Sequence, residues 1–265
     1  MAQEHPLPER LIDIHNHLRP GWALGAVLER LDEFHIDRAL LLGLPGAPES
    51  RNDAVLRAVR RHPDRFVGGV FADPRDGRAA IDEIRRYRDE GFRVVKLFPN
   101  YGYYPDDEAH RPFFDAVAEL GMAVLSHCGW LSPHPGREIA SYYSHPGRFE
   151  KLIRLYPDTV FILAHLGGIA GFLESVMLTT RTPNTYVDTA PGQGLWALEA
   201  APGIVGTIPP DRIVWGCDSY QYDRHIPNYR AALVGAGFGE DLGAIFHDNA
   251  LALLRRIGAI GQGET

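Results

Sequence analysis

Eight short apolar runs that alternate with eight longer amphipathic stretches predict an α/β fold, and more narrowly a closed (β/α)8 barrel of the TIM type. Two further observations support that class. The short runs are apolar on both faces, as a parallel sheet covered by helices requires. No Gly-rich dinucleotide turn follows the first run, which disfavours an open doubly wound sheet.

The strand candidates are residues 11 to 16, 39 to 43, 66 to 71, 93 to 98, 122 to 127, 160 to 165, 185 to 189 and 212 to 217. Helical periodicity covers 24 to 34, 50 to 61, 77 to 90, 111 to 120, 146 to 155, 168 to 180, 194 to 206 and 241 to 256. Gly91 and Gly121 stand where a left-handed residue ends the third and fourth helices, and Pro63, Pro157 and Pro210 stand just past helical stretches. Pro112 and Pro146 suit a first helical turn. The expected organisation is one domain over 1 to 260, with a disordered tail over 261 to 265. The longest irregular stretches, 99 to 110 and 128 to 145, follow strands at their carboxyl ends, which in a barrel is the catalytic face.

Composition narrows the function. With 265 residues and 45% hydrophobic content, the chain can bury a large core. A formal charge of −7 and no basic block with interleaved aromatics argue against nucleic-acid binding. No signal segment and no apolar stretch of spanning length is evident, so a soluble cytoplasmic protein without a membrane partner is expected. Cys128 and Cys217 are the two cysteines, and reduced thiols are expected.

Of the 27 basic residues only Lys96 and Lys151 are lysines, and Lys96 lies inside the apolar run Val94-Val95-Lys96-Leu97-Phe98. A buried lysine, unlike arginine, can lose its proton and then act as a base or react with carbon dioxide.

The metal-capable residues gather at the ends of strand candidates. His15 and His17 alternate on the first run and so share a face. His127, His165 and Asp218 end the fifth, sixth and eighth runs. In a parallel barrel all of these open onto one mouth together with Lys96. Imidazoles and a carboxylate suit zinc, with manganese as an alternative, and leave positions for water, which zinc acidifies to near neutrality. Asp218 is then a ligand, the base that takes the water's proton, or both. Asp13 shares the His15 face by parity and is expected deeper in the barrel, supporting a ligand by a hydrogen bond. Asp188 ends the seventh run on the same side as a supporting candidate. Arg19, Trp22, Trp130, Arg137 and Tyr142 occupy catalytic-face loops, where an arginine can clamp a substrate carboxylate. The segment 100 to 105, rich in tyrosine, either shapes an apolar pocket or packs on a neighbour, and His134 and His225 read as loop or surface residues.

These motifs carry a family resemblance. Asp13-Ile14-His15-Asn16-His17, Val95-Lys96-Leu97-Phe98-Pro99, Ala164-His165-Leu166-Gly167-Gly168, Trp215-Gly216-Cys217-Asp218 and Asp248-Asn249-Ala250 together resemble the amidohydrolase superfamily, within it the amidohydrolase-2 group of hydrolases and decarboxylases. The resemblance implies a barrel with one divalent ion on His15, His17, His127 and Asp218, and His165 acting on the substrate. Its binuclear members imply the alternative of a carbamylated Lys96 bridging two ions, with His127 and His165 on the second. It also implies a small-molecule substrate and barrels that often pair, so a homodimer is an expectation. The activity expected first is hydrolysis of an ester, lactone or amide. Non-oxidative decarboxylation of an aromatic or enoic acid is the alternative at the same site.

Overall fold

The computed structural model describes residues 5–132 and 139–263; His134 and Arg137 lie outside them. Eight strands form one sheet in sequential order, with every neighbouring pair parallel. They are β1 Leu11–Asn16, β2 Ile36–Leu42, β3 Phe66–Phe71, β4 Val94–Leu97, β5 Ala123–Ser126, β6 Phe161–Leu163, β7 Thr185–Asp188 and β8 Ile213–Val214. The helices between and after them are α1 Leu24–Glu33, α2 Asn52–Arg61, α3 Arg78–Asp89, α4 Arg111–Glu119, α5 Glu150–Leu155, α6 Gly168–Arg181, α7 Gln193–Ala200, α8 Pro202–Val205, α9 Tyr222–Gly235 and α10 Asn249–Arg256.

The predicted barrel is therefore present, with local departures that have identifiable causes. The stretch 194 to 206 divides at Pro202, and 146 to 155 opens with a 3-10 turn over Pro146–Phe149 before α5 begins. The expected last helix starts as a π turn, Ala244–Asp248. Helix α9 was not expected, because Pro227 interrupts its pattern; proline removes one amide donor but the surrounding turns persist.

Alternate strand residues feed two cores. Leu41, Val95, Leu97, Val124, Phe161 and Leu163 face the helices. Leu40, Leu42, Val94, Leu125 and Ile162 fill the barrel together with Leu253 and Leu254 of α10. That helix lies at the amino-terminal end of the strands: Asn249 donates to the carbonyls of Pro210 and Ile213.

The barrel closes between β1 and the segment after β8. The Ile14 amide donates to the Trp215 carbonyl at 3.0 Å, and the Asp218 amide to the His15 carbonyl at 2.6 Å. Trp215 itself donates to the Ile245 carbonyl in the π turn. A Cβ on Gly216 would stand 2.7 Å from that of His15, so this approach of the two backbones requires glycine. The expected strand over 212 to 217 is accordingly cut to two residues, since Trp215 to Asp218 leave the ladder to make the closure.

Candidate metal centre at the barrel mouth

His15 near the end of β1 and His17 just beyond it lie together, with ring centroids 5.3 Å apart. Each has one nitrogen anchored. His15 Nδ1 bonds Asp188 Oδ2 at 2.8 Å, and His17 Nδ1 bonds the Leu42 carbonyl at 2.8 Å. An imidazole fixed through Nδ1 offers Nε2 to a metal in one orientation. His17 Nε2 lies 3.6 Å from Asp218 Oδ1. Ligand atoms of His15, His17 and Asp218 all fall within 4.8 Å of one another, as donors around a single divalent ion must.

Burial sets the protonation states. It lowers His15, His17 and His127 well below the ordinary histidine range, which leaves neutral, ligand-competent rings. Burial works to raise the Asp218 carboxyl, but the positive potential of the cluster, with Arg19 as its permanently charged member, holds it below its usual value. Lys96 is fully buried, and desolvation brings it down to about 8 despite Asp218 and Asp188. Its Nζ is 3.0 Å from His15 Nε2, so the rare lysine belongs to this centre.

His127 and His165 form the opposite wall. Their rings are 4.7 Å apart, and His165 Nε2 meets His127 Nδ1 at 3.1 Å. The His165 ring is 5.3 Å from that of His15. Phe98 stacks on His127 at 5.6 Å. His165 and Leu166 both have positive φ, 58° and 52°, an arrangement that costs roughly 1–3 kcal/mol per residue. The His165 amide donates to Asp188 Oδ1 and Ser175 Oγ donates to the Leu166 carbonyl, which holds the turn. Asp188 thus supports His15 through one oxygen and His165 through the other.

Asp13 does not follow its expected parity. The β1 register shifts between Asp13 and Asn16, so Ile12 and Ile14 enter the barrel and Asp13 turns to Tyr222 of α9, whose hydroxyl donates to Asp13 Oδ2 at 2.8 Å. Asp13 Oδ1 accepts from the amides of His15 and Cys217, tying the first and last parts of the site together. Burial pushes its carboxyl up to about 7, against those donors.

Sequence reasoning placed Arg19 on a catalytic-face loop, where an arginine can clamp a substrate carboxylate, and not against Asp218. Its Nη2 bonds Asp218 Oδ1 at 3.0 Å and also the Asp218 carbonyl. Asp218 sits at φ 50°, a backbone setting these contacts help to hold. Tyr101 and Tyr103, read as pocket or packing residues, are buried, and Tyr101 stacks on Phe98. Cys128 and Cys217 are both free and buried.

Fold and site together define a (β/α)8 barrel with a candidate divalent-metal centre at the carboxyl ends of its strands. A family model described as amidohydrolase, of the amidohydrolase-2 group, matches residues 44–256, and the chain belongs to that family. The match begins after β1, so the assignment of His15 and His17 rests on their geometry. No curated protein sequence matches the chain.

Solved structures share the fold. A probable 2-pyrone-4,6-dicarboxylic acid hydrolase from Acinetobacter baumannii is 16% identical, covers 94% of this chain and 99% of its own, and superposes with a TM-score of 0.64. The 2,6-dihydroxybenzoate decarboxylase from Rhizobium is 17% identical over 96% and 100%, with a TM-score of 0.67. A 5-carboxyvanillate decarboxylase from Novosphingobium aromaticivorans, with bound manganese, is 20% identical over 88% and 81%, with a TM-score of 0.61.

Proposed function

We propose that this protein is a metal-dependent hydrolase of a small carboxylate-bearing ester, lactone or amide. The observation that carries the reading is the convergence of His15, His17 and the Asp218 carboxylate, whose ligand atoms lie within 4.8 Å of one another, with His17 Nε2 3.6 Å from Asp218 Oδ1. His15, His17 and Asp218 would hold one zinc ion, with His127 as a further ligand and manganese as the alternative metal. The bound ion would supply Lewis acidity and a water acidic enough to ionise near neutral pH.

Asp218 accepts the proton of the attacking water and returns it to the leaving group, which balances the hydrolysis without another acid. His165 donates a hydrogen bond to the oxygen that gains charge at the reacting carbon. Asp188 keeps His15 in one tautomer and orientation through its 2.8 Å bond to Nδ1. Phe98, Tyr101 and the neighbouring tyrosines exclude water from the β4 side of the site.

Lys96 supports a second reading. Its buried amine, 3.0 Å from His15 Nε2, would on adding carbon dioxide and losing a proton give a carbamate that could help hold a second ion. Metal per chain separates the readings: about one ion supports the first, and about two the second.

The test of hydrolysis uses protein reconstituted with zinc or with manganese, 2-pyrone-4,6-dicarboxylate and 2,6-dihydroxybenzoate as probes, and ¹⁸O-labelled water. Hydrolysis places label in a new carboxylate and releases no carbon dioxide. Stoichiometric carbon dioxide without label uptake would replace this reading with decarboxylation.

A further inference from the structure

The backbone of Gly129 and Trp130, just after β5, is gripped by residues from other loops. Asn100, fully buried in the loop after β4, donates from Nδ2 to the Gly129 carbonyl at 2.7 Å. Gln193, the first residue of α7, makes two bonds to the next residue along: its Oε1 accepts from the Trp130 amide at 2.7 Å, and its Nε2 donates to the Trp130 carbonyl at 2.8 Å. A side-chain amide carries an acceptor and a donor side by side, so one glutamine can satisfy both backbone groups of one residue. A Cβ on Gly129 would stand 2.4 Å from Gln193 Oε1 and 2.7 Å from the Gly168 Cα, so the loops after β5, β6 and β7 meet here with no room for a side chain.

The Trp130 carbonyl has a second neighbour. His127 Nε2 lies 3.3 Å from it. A carbonyl only accepts, so the hydrogen of this bond sits on Nε2. Burial keeps the ring neutral, and a neutral ring with its hydrogen on Nε2 has a bare lone pair on Nδ1. That Nδ1 is the atom turned inward, 3.1 Å from His165 Nε2. The His127 amide is already tied to the Leu97 carbonyl at 2.9 Å, and Phe98 stacks on the ring. What the Trp130 carbonyl adds is the choice of tautomer.

We infer that Gln193 is a positioning residue for the metal centre: by fixing the Trp130 carbonyl it selects the His127 tautomer with its hydrogen on Nε2 and leaves Nδ1 free to serve as a ligand. The inference deepens the proposed function and rests on it for the ligand role of His127, whereas the tautomer can be read without metal or substrate. Gln193 acts through the loop backbone, bridging the loops after β5 and β7 between residues 63 positions apart. Glutamate at this position would separate the two bonds. It has the same length and keeps an acceptor for the Trp130 amide, but it sets an oxygen against the Trp130 carbonyl and repels it.

The test is long-range ¹H–¹⁵N correlation spectroscopy on the full chain labelled with ¹⁵N-histidine, free of metal and loaded with zinc, with the His127 signals assigned by their loss in His127→Gln. Wild-type His127 is expected to carry its hydrogen on Nε2 alone in both forms. A hydrogen on Nδ1 overturns the inference without any variant at Gln193.

In Gln193→Glu the metal-free ring is expected to populate both tautomers, and zinc affinity in a competition titration to fall about 10-fold. Gln193→Ala, which removes both bonds, should behave likewise; should it unfold, the glutamate variant, equal in shape, carries the test. A folded Gln193→Glu chain in which His127 keeps the wild-type tautomer overturns the inference, because the bond to the Trp130 carbonyl then selects nothing. Mixed tautomers with unchanged zinc affinity would uphold the positioning by Gln193 and remove His127 from the ligands of the proposed function.

Discussion

The two sides of the metal centre are built differently. On the seam between β1 and β8, both imidazoles have Nδ1 fixed by a partner outside the cluster, and Asp218 is held by Arg19 and by the His15 carbonyl. On the β5 and β6 wall, His127 and His165 bond each other, His127 Nε2 also lies 3.3 Å from the Trp130 carbonyl, and among the described residues His165 Nδ1 has no hydrogen-bond partner. Anchored rings with their remaining nitrogens presented inward are the better ligands, and a ring with a spare nitrogen is the better proton handler. On the proposed reading the seam would capture the metal, with His127 as its further ligand, and His165 on the wall would act on the substrate.

Removing the seam ligands is expected to have the largest effect. The double variant His15→Ala, His17→Ala should drop metal from about one ion per chain to near zero by plasma mass spectrometry; unchanged metal content would move capture to the wall. Next, Asp218→Asn should lower turnover by about 10²–10⁴-fold, the usual range for a general base, with a smaller loss of metal. Equal losses would make Asp218 chiefly a ligand.

Lys96→Arg keeps the charge but forbids carbamylation and neutral-amine chemistry, and about a 10²-fold fall in activity is expected. Full activity would remove Lys96 from the mechanism. Asp188→Asn should weaken metal binding by about 10–100-fold in a competition titration, because His15 Nδ1 loses its carboxylate. An affinity within twofold of the wild type would mean that the anchoring does not matter. The smallest effect should come from Tyr222→Phe, which removes one buried donor to Asp13 at 2.8 Å. A stability loss of about 1–2 kcal/mol by denaturant titration is expected, with metal affinity little changed.

Much of the seam was legible in the chain because its parts obey local rules. His15 and His17 reveal themselves by two-residue spacing on an apolar run, and Asp218 by its place after the last one. Lys96 stood out as one of two lysines, and its 3.0 Å approach to His15 accounts for its burial. What stayed hidden depends on partners distant in sequence or on a broken period. The Arg19 bond to Asp218 spans 199 positions and leaves no local pattern. The register shift in β1 turned Asp13 outward, which strict alternation does not anticipate. Pro227 concealed α9, and with it the Tyr222 that Asp13 meets.

The hydrogen bonds that close the barrel also have a consequence for the order of synthesis. The Asp218 amide meets the His15 carbonyl, and Cys217 meets Asp13, across more than 200 residues of chain. At ribosomal rates of about 5–20 residues per second, the first strand waits roughly 10–40 s for these partners. A nascent chain thus displays a two-histidine fragment with no carboxylate from Asp218 to complete it. Ring closure and assembly of the three-residue centre become one late event, and an unfinished chain is poorly equipped to trap an ion before the barrel that encloses it exists.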